Sequence, residues 1–278
     1  MSRTIFIDKE FTEGLKNKLI DTDTFINNNQ IFKYKQDIDK SIQERSQIFF
    51  GNVIGNDMTK EQLYRAILRE DRLVNILLVG PPATSKTLLV KQIEDQCNNV
   101  IFYDAASGST GAGLIEILRR NLNTKILIID EISEMKGKDL EVLRGLLNDG
   151  RVSKTLKSQL INFKMKNLKV FATTNNPTKL SLPLKSRFQM YHIPAYTDEE
   201  FIKVMKFCLL KQNIVSDEQL ANELSHAMIK YDIKNIRTAL SVCSLIHPED
   251  KHEDIKRVIE NYLLNDASQI NINYNETE

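Results

Sequence analysis

Four short apolar runs, separated by stretches with helical periodicity, dominate the middle of the chain. Each run is bounded by turn-forming residues and is predicted to be a buried strand. The runs lie at Val74–Val79, Val100–Tyr103, Lys125–Ile129 and Leu168–Ala172. Between them, apolar residues recur at helical spacing, as at Leu140, Leu143 and Leu147. Because strands that alternate with helices form parallel sheets covered on both faces, the pattern predicts an α/β core.

The strand pattern stops at Ile193, and helices are predicted for most of the remaining chain. Two sequences of the capping-box type, Thr197–Glu200 and Ser216–Gln219, are each expected to begin a helix. Two further helices are predicted over residues 234–246 and 252–264. We therefore divide the chain into a polar extension (1–46), an α/β core (47–193), a small helical domain (194–264) and a tail expected to be flexible (265–278).

Composition and charge restrict the class of protein. Of the 278 residues, 41% are apolar and 27% charged, which is typical of a globular protein. No apolar run approaches the ~18 residues that cross a membrane, and the first ten residues lack the apolar stretch of a secretion signal. We therefore expect a cytoplasmic protein without membrane contact. The net charge is +1, so binding of nucleic acid would require a local basic patch.

The cysteines do not predict a metal site. Cys97, Cys208 and Cys243 lie far apart, and no close Cys/His spacing indicates zinc. Cys208 and Cys243 fall in apolar helical stretches, where a reduced core thiol is the better interpretation.

The first predicted strand runs into a loop with the composition of a phosphate-binding turn, and a helix comes next. The loop consists of Gly80, Pro81, Pro82, Ala83, Thr84, Ser85, Lys86 and Thr87. Its N–H groups and the helix end would bind phosphate, Lys86 would reach the β and γ phosphates, and Thr87 would ligate Mg²⁺. Ser85 replaces the usual glycine, so crowding there would weaken affinity. The alternative is a proline-containing turn with a surface lysine.

The third predicted strand ends in two carboxylates, Asp130 and Glu131. At the carboxyl end of a parallel strand both would face the crevice where phosphates bind. Asp130 can hold Mg²⁺ through water, and Glu131 can act as the general base for the attacking water. Alone the pattern is equally consistent with a strand and a polar turn. Together with Lys86 and Thr87 upstream, it predicts a site for ATP or ADP with Mg²⁺ held by Thr87 and Asp130.

With these motifs in order, residues 48–264 resemble an AAA+ P-loop ATPase. Residues 48–55 (IFFGNVIG) resemble the segment that contacts adenine, and residues 170–177 (VFATTNNP) resemble the fourth strand of the family. By that likeness Asn175 is the first sensor, which orients water with Glu131; Thr174 is the alternative if the register shifts by one. The resemblance implies an αβα sandwich with a five-stranded parallel sheet, followed by a helical lid.

Two arginines gain roles only through this resemblance, since a lone arginine is more often a surface ion-pair partner. Residues 184–188 (LKSRF) resemble the arginine-finger segment, so Arg187 would reach the γ-phosphate bound by a neighbouring subunit. This role implies a homo-oligomeric ring, expected to be a hexamer. Residues 235–240 (NIRTAL) resemble the second sensor, whose Arg237 would touch the phosphates within its own subunit. The implied catalytic residues are Glu131, Asn175, Arg187 and Arg237.

Within the family, residues 172–174, 183–188 and 196–200 resemble RuvB-type Holliday-junction ATPases, above all archaeal RuvB-like proteins. Bacterial members carry a DNA-binding domain after the lid, whereas 14 residues come after Leu264 here, which counts against DNA binding by that route. Residues 150–169 hold six basic and no acidic residues and are predicted to form a β-hairpin. MoxR-type chaperones and minichromosome-maintenance helicases also place a hairpin here. It would either contact DNA in a ring's pore or be a solvated surface.

Three functions therefore stay open at this point. The first is a DNA-directed ATPase motor, the second a MoxR-type remodeller of a protein partner, and the third a slow nucleotide-dependent scaffold. Residues 105–114 (AASGSTGAGL) are typical of a turn and helix cap and lack the aromatic pore loop of polypeptide-threading relatives.

Overall fold

The structure is a computed structural model that describes residues 31–33, 39–107, 110–156, 159–247 and 252–275. The chain divides into two units. The first holds the described residues up to Gly80 and from Ser85 to Ile193, and the second holds Pro81–Thr84 and the described residues from Pro194 onwards. The start of the chain, most of the predicted extension over 1–46, lies outside the described residues.

In the part of the first unit that the structure describes there are seven strands. They are β1 (Val74–Val79), β2 (Val100–Asp104), β3 (Ile126–Asp130), β4 (Arg151–Leu156), β5 (Gln159–Lys164), β6 (Lys169–Thr174) and β7 (Gln189–His192). Five of them form one parallel sheet in the order β2-β3-β6-β1-β7, and β4 pairs with β5 in a separate antiparallel hairpin. The predicted five-stranded parallel sheet is confirmed, with each predicted strand shifted by two residues at most.

Among the described residues, six helices belong to the first unit and four to the second. The first unit contains α1 (Ile42–Phe49), α2 (Asp57–Leu68), α3 (Lys86–Gln96), α4 (Gly111–Arg120), α5 (Gly137–Asp149) and α6 (Leu182–Lys185). The second contains α7 (Asp198–Lys211), α8 (Glu218–Lys230), α9 (Ile236–Cys243) and α10 (His252–Asn275). Two 3₁₀ turns cover Ile132–Glu134 and Pro177–Lys179.

The sheet separates two apolar cores because side chains alternate between its faces. On β1, Leu77 and Val79 join the core that contains α4 and α5, whereas Ile76 and Leu78 join the core that contains α1, α2 and α3. Complete burial of each such side chain contributes about 1.5–3 kcal/mol. The two covered faces explain why the strands are continuous apolar runs, and the parallel pairing brings the carboxyl ends of the strands to one edge of the sheet.

The basic hairpin lies between α5 and β6. Gly150 ends α5 with a left-handed φ of +78°, and Arg151 begins β4 opposite Lys164 of β5. Buried Val152 and Met165 anchor the base of the hairpin in the core, whereas Lys164 and Lys166 are exposed. The predicted hairpin is confirmed. The side chains of residues 154–160, which include the predicted exposed Lys154 and Lys157, lie outside the described part.

Helix starts in the second unit follow local capping chemistry. Thr197 caps α7 in the predicted capping box with Glu200. The prediction of a Ser216 cap for α8 is wrong: the cap is Asp217, whose carboxylate accepts a hydrogen bond from Leu220 N at 2.6 Å. The next helix is shorter than predicted, over Ile236–Cys243. In the first unit, Thr110 caps α4, as its small-residue sequence predicts.

Two further observations concern membrane spanning and the cysteines. Among helices in the described residues, none combines the length and apolar character that a membrane span requires. Burial raises the pKa of the Cys97 and Cys243 thiols to about 12, so neither forms a reactive thiolate near neutral pH. All three cysteines are free, and Cys208 is partly exposed.

Candidate functional site

The site lies at the carboxyl edge of the parallel sheet, where the backbone of Gly80 packs closely against that of Ile193. A Cβ atom on Gly80 would lie 2.1 Å from the carbonyl oxygen of Ile193, so no other residue fits without moving the backbone. Gly80 N donates to Thr174 O, which ties the start of the loop to β6. The glycine is therefore required by a close backbone approach.

Residues 81–84 belong to the second unit. Ala83 adopts a left-handed conformation with φ of +59°, which costs a non-glycine residue about 1 kcal/mol. The Thr84 hydroxyl donates to Pro81 O at 3.0 Å and closes the turn. Such a turn directs successive N–H groups to one side, as a phosphate loop requires.

Helix α3 begins directly after Ser85 and carries the two residues predicted to bind phosphate and Mg²⁺. Ser85 is buried, and its hydroxyl accepts a hydrogen bond from Asn56 Nδ2 at 3.0 Å. The Ser85 side chain therefore has a specific partner in the segment between α1 and α2, which the sequence did not indicate. Lys86 is 3% exposed at the helix N-terminus, and the Thr87 hydroxyl lies 3.2 Å from Asp130 Oδ1.

Asp130 is held by two hydroxyl groups. Besides Thr87, the fully buried Thr173 of β6 donates to Asp130 Oδ1, and the same Thr173 hydroxyl accepts from Glu131 N at 3.0 Å. Thr173 is the functional candidate that the sequence analysis missed. The signal was available only in the strand order: Ile129 of β3 pairs with Ala172 of β6, so the next residues, Asp130 and Thr173, are neighbours.

Glu131 comes next, in a strained backbone conformation. Its φ of +53° is left-handed, which turns its carboxylate away from the direction of β3. Both carboxylate oxygens accept hydrogen bonds from Asn175, Oε1 from Nδ2 at 2.6 Å and Oε2 from the backbone N at 3.2 Å. The alternative sensor, Thr174, is buried and its hydroxyl accepts from Asn176 N. The structure thus brings Asn175 directly to Glu131.

Of the two predicted arginines, Arg187 belongs to the first unit and Arg237 to the second. Arg187 lies in the turn after α6, and its Nη1 donates to Pro183 O of the same turn. Its Nε is buried without a hydrogen-bond partner among the described residues. In the second unit, Arg237 is an exposed residue in the first turn of α9, where its N–H donates to the cap Asn235.

The donor set is compatible with Mg²⁺ bound together with a nucleotide. Within the described ranges, no group of three or more His, Cys, Asp or Glu side chains is placed to hold a metal ion by itself. The Thr87 hydroxyl and the Asp130 carboxylate offer two adjacent oxygens, and Mg²⁺ typically takes one or two such protein ligands and completes its shell with phosphates and water. The residues present therefore fit this ion.

The geometry can be compared with known families. The family described as "ATPase family associated with various cellular activities (AAA)" matches residues 76–193. Residues 76–193 are therefore similar in sequence to AAA domains. The match runs from β1 to just past β7, and it contains the loop, both carboxylates, Asn175 and Arg187.

Curated relatives match longer stretches of the chain. The Holliday junction branch migration complex subunit RuvB of Campylobacter hominis is 26% identical over 202 residues, which cover 69% of this chain and 58% of that protein. The protein of the same name from Fervidobacterium nodosum is 30% identical over 162 residues, 55% and 47% of the two chains. The chain thus spans about half the length of these relatives.

Solved structures show the same fold. The Thermotoga maritima RuvB Holliday junction branch migration motor superposes with a TM-score of 0.53 at 17% identity, over 77% of this chain and 73% of that one. The resemblance to AAA+ ATPases of the RuvB type is therefore confirmed. The relatives named here are bacterial, whereas the sequence analysis pointed to archaeal members.

Proposed function

We propose that this chain is a Mg²⁺-dependent ATPase that works in a homo-oligomeric ring, expected to be a hexamer, as a DNA-directed motor of the RuvB type. One observation carries the proposal: the Asp130 and Glu131 carboxylates, held by Thr173 and Asn175, stand at the carboxyl edge of a parallel sheet within an AAA domain. We assign residues 47–193 to the nucleotide-binding core and residues 194–264 to the lid.

The loop and the start of α3 would bind the nucleotide. Residues Gly80–Thr87 would bind the phosphates of ATP, with Lys86 as the cation that reaches the β and γ groups. Thr87 and Asp130 would hold the Mg²⁺ ion, which supplies charge neutralisation to the phosphates when bound. Because the two side chains already touch each other, only a small rearrangement is needed to receive an ion.

Glu131 and Asn175 would act in the hydrolysis step. Glu131 would accept a proton from water as the water oxygen bonds to the γ-phosphorus and the bond to the bridging oxygen breaks, which leaves ADP and phosphate. Asn175 binds both carboxylate oxygens of Glu131 and so sets the orientation of this base. We assign Arg187 to the site of a neighbouring subunit and Arg237 to the phosphates of its own subunit.

DNA is proposed as the substrate on two grounds. The hairpin region over 150–169 has six basic and no acidic residues, and repetition around a ring would concentrate positive charge. In addition, the named relatives are subunits of a Holliday junction branch migration complex.

The test is steady-state ATP hydrolysis with Mg²⁺, alone and with single-stranded, duplex and four-way-junction DNA at two salt concentrations. We expect hydrolysis that DNA stimulates and that salt weakens, most with the junction. Hydrolysis that is indifferent to all three DNAs would reject the DNA role and support a protein partner. Absence of hydrolysis under every condition, with ATP bound, would support the nucleotide-dependent scaffold.

A further inference from the structure

Asn75 is a polar residue in an otherwise apolar strand. It lies on β1, on the same face as Leu77 and Val79, which point into the core under α4 and α5. A polar group in such a place costs free energy unless its hydrogen bonds are satisfied. Asn75 Oδ1 is buried without a hydrogen-bond partner among the described residues, so the two bonds of Nδ2 are what the polar residue provides.

The Asn75 amide bridges two segments that are distant in sequence. Its Nδ2 donates to Leu147 O at 2.8 Å and to Arg187 O at 3.0 Å. Leu147 lies in the last turn of α5, where carbonyl groups lack helical partners. Arg151 N, which would bond to Leu147 O if the helix continued, donates instead to the Asp149 side chain at 3.2 Å. Asn75 thus satisfies an orphan carbonyl and uses its second hydrogen for Arg187.

The Arg187 side chain has few contacts of its own. Its guanidinium bonds to the Pro183 carbonyl in the same turn, and its Nε has no partner among the residues that the structure describes. The next residue, Phe188, is buried in the core. The Asn75 amide links the backbone of Arg187 to the end of α5 and so fixes where the arginine side chain begins.

We propose that Asn75 is a positioning residue for Arg187, which holds the finger at the angle needed to reach a nucleotide bound by the neighbouring subunit. This inference rests on the proposed function of Arg187 as a finger acting on another subunit. Asn75→Leu keeps a similar shape and removes both donors. Because a displacement of about 1 Å can cost up to about 10²-fold in rate, we expect kcat to fall about 10–100-fold. Nucleotide affinity should change by less than about twofold, since the loop and Mg²⁺ ligands are untouched.

The experiment mixes full-length variants in equal amounts and measures ATP hydrolysis. Asn75→Leu subunits keep Glu131 and lack a positioned finger, whereas Glu131→Gln subunits keep the finger and lack the base. Their mixture should regain activity well above either variant alone. A mixture of Asn75→Leu with Arg187→Ala should stay inactive, because neither contributes a working finger. Lack of rescue of Asn75→Leu by Glu131→Gln, where Arg187→Ala is rescued, would overturn the proposal.

Two controls separate positioning from loss of stability and from failure of the proposed function. Leu147→Ala removes a buried side chain at the same helix end but keeps the carbonyl that Asn75 binds. Once corrected for folded fraction by thermal unfolding, its kcat should stay close to that of the unchanged protein. An equal loss of kcat in Leu147→Ala would also reject the positioning role. If Arg187→Ala itself is not rescued by Glu131→Gln, the finger assignment fails, and that outcome is distinct from a failure of Asn75 alone.

Discussion

The carboxylate cluster and Arg187 lie at opposite ends of the same parallel sheet, the first after the carboxyl end of β3 and the second before the amino end of β7, and they are built differently. Asp130 and Glu131 are held by hydroxyl, amide and backbone groups of the neighbouring strand β6 and the residue just after it. Arg187 is held at its backbone by Asn75, while its Nε lacks a partner within the described residues. The first group is pre-organised within one chain. For the second, we propose that the partner is supplied by a neighbouring subunit.

The largest effect is expected from substitution of Lys86, because nucleotide binding beside the carboxylate cluster is proposed to depend on this lysine. Lys86→Ala should abolish nucleotide binding, because the cation at the β and γ phosphates is removed. The measurement is titration with a fluorescent ATP analogue. Lys91→Ala, an exposed lysine on the same helix, is the matched control and should bind normally. Undiminished ATP affinity in Lys86→Ala would refute the assignment of the phosphate loop.

Arg187→Ala tests the second region of the comparison, the proposed arginine finger. It should lower kcat by about 10³–10⁵-fold while nucleotide binding stays intact, as expected of an arginine finger. Single-turnover hydrolysis and binding are measured on the same preparation. Arg144→Ala, an exposed arginine on α5, should have no effect. A loss of binding equal to the loss of rate would instead place Arg187 in the structure of its own domain.

Thr173 tests whether the carboxylate cluster is pre-organised. Thr173→Val removes the hydroxyl that bridges Asp130 and Glu131 N, and it leaves a buried N–H unsatisfied at a cost of about 1–3 kcal/mol of stability. We expect kcat to fall by about 10-fold or more, with a higher Mg²⁺ requirement, because each 1.4 kcal/mol corresponds to about tenfold.

Thr173→Ser keeps the hydroxyl and is the matched control for this change. It should retain most of the activity and the ordinary Mg²⁺ dependence. Equal defects in the valine and serine variants would show that packing of the methyl group, rather than the hydroxyl bridge, is what matters at this position.

The smallest effect is expected on the basic hairpin, the surface proposed to face a substrate. Lys164 and Lys166 are exposed there, and charge reversal of both to glutamate should reduce DNA stimulation and lower the salt slope of binding by about 2. Basal hydrolysis should not change. Reversal of Lys203 and Lys230, exposed lysines of the second unit, is the control for net charge. Equal effects from both pairs would argue against a specific role for the hairpin.

Elements whose signals are local were predictable from the sequence. Each strand of the sheet except β7 is a short apolar run, and the loop and both carboxylates are contiguous with such runs. The Thr197 cap was predictable for the same reason, since its partner lies three residues away. The prediction of a Ser216 cap was wrong because Asp217, the next residue, is an equally good acceptor. The local sequence pattern does not distinguish between two adjacent capping residues.

The sequence by itself therefore determined the α/β class, the place of the loop after β1 and the carboxylate pair, because these depend on periodicity and on neighbours in the chain. Only the tertiary structure decided which distant groups meet: the side chains of Thr173 and Asp130, those of Ser85 and Asn56, and the Asn75 amide with the backbone carbonyl of Arg187. These partners are 29 to 112 residues apart, so their encounter depends on strand order and helix packing. The physical reason is that a hydrogen bond needs its two atoms within about 3 Å, and only the folded sheet brings such distant residues that close.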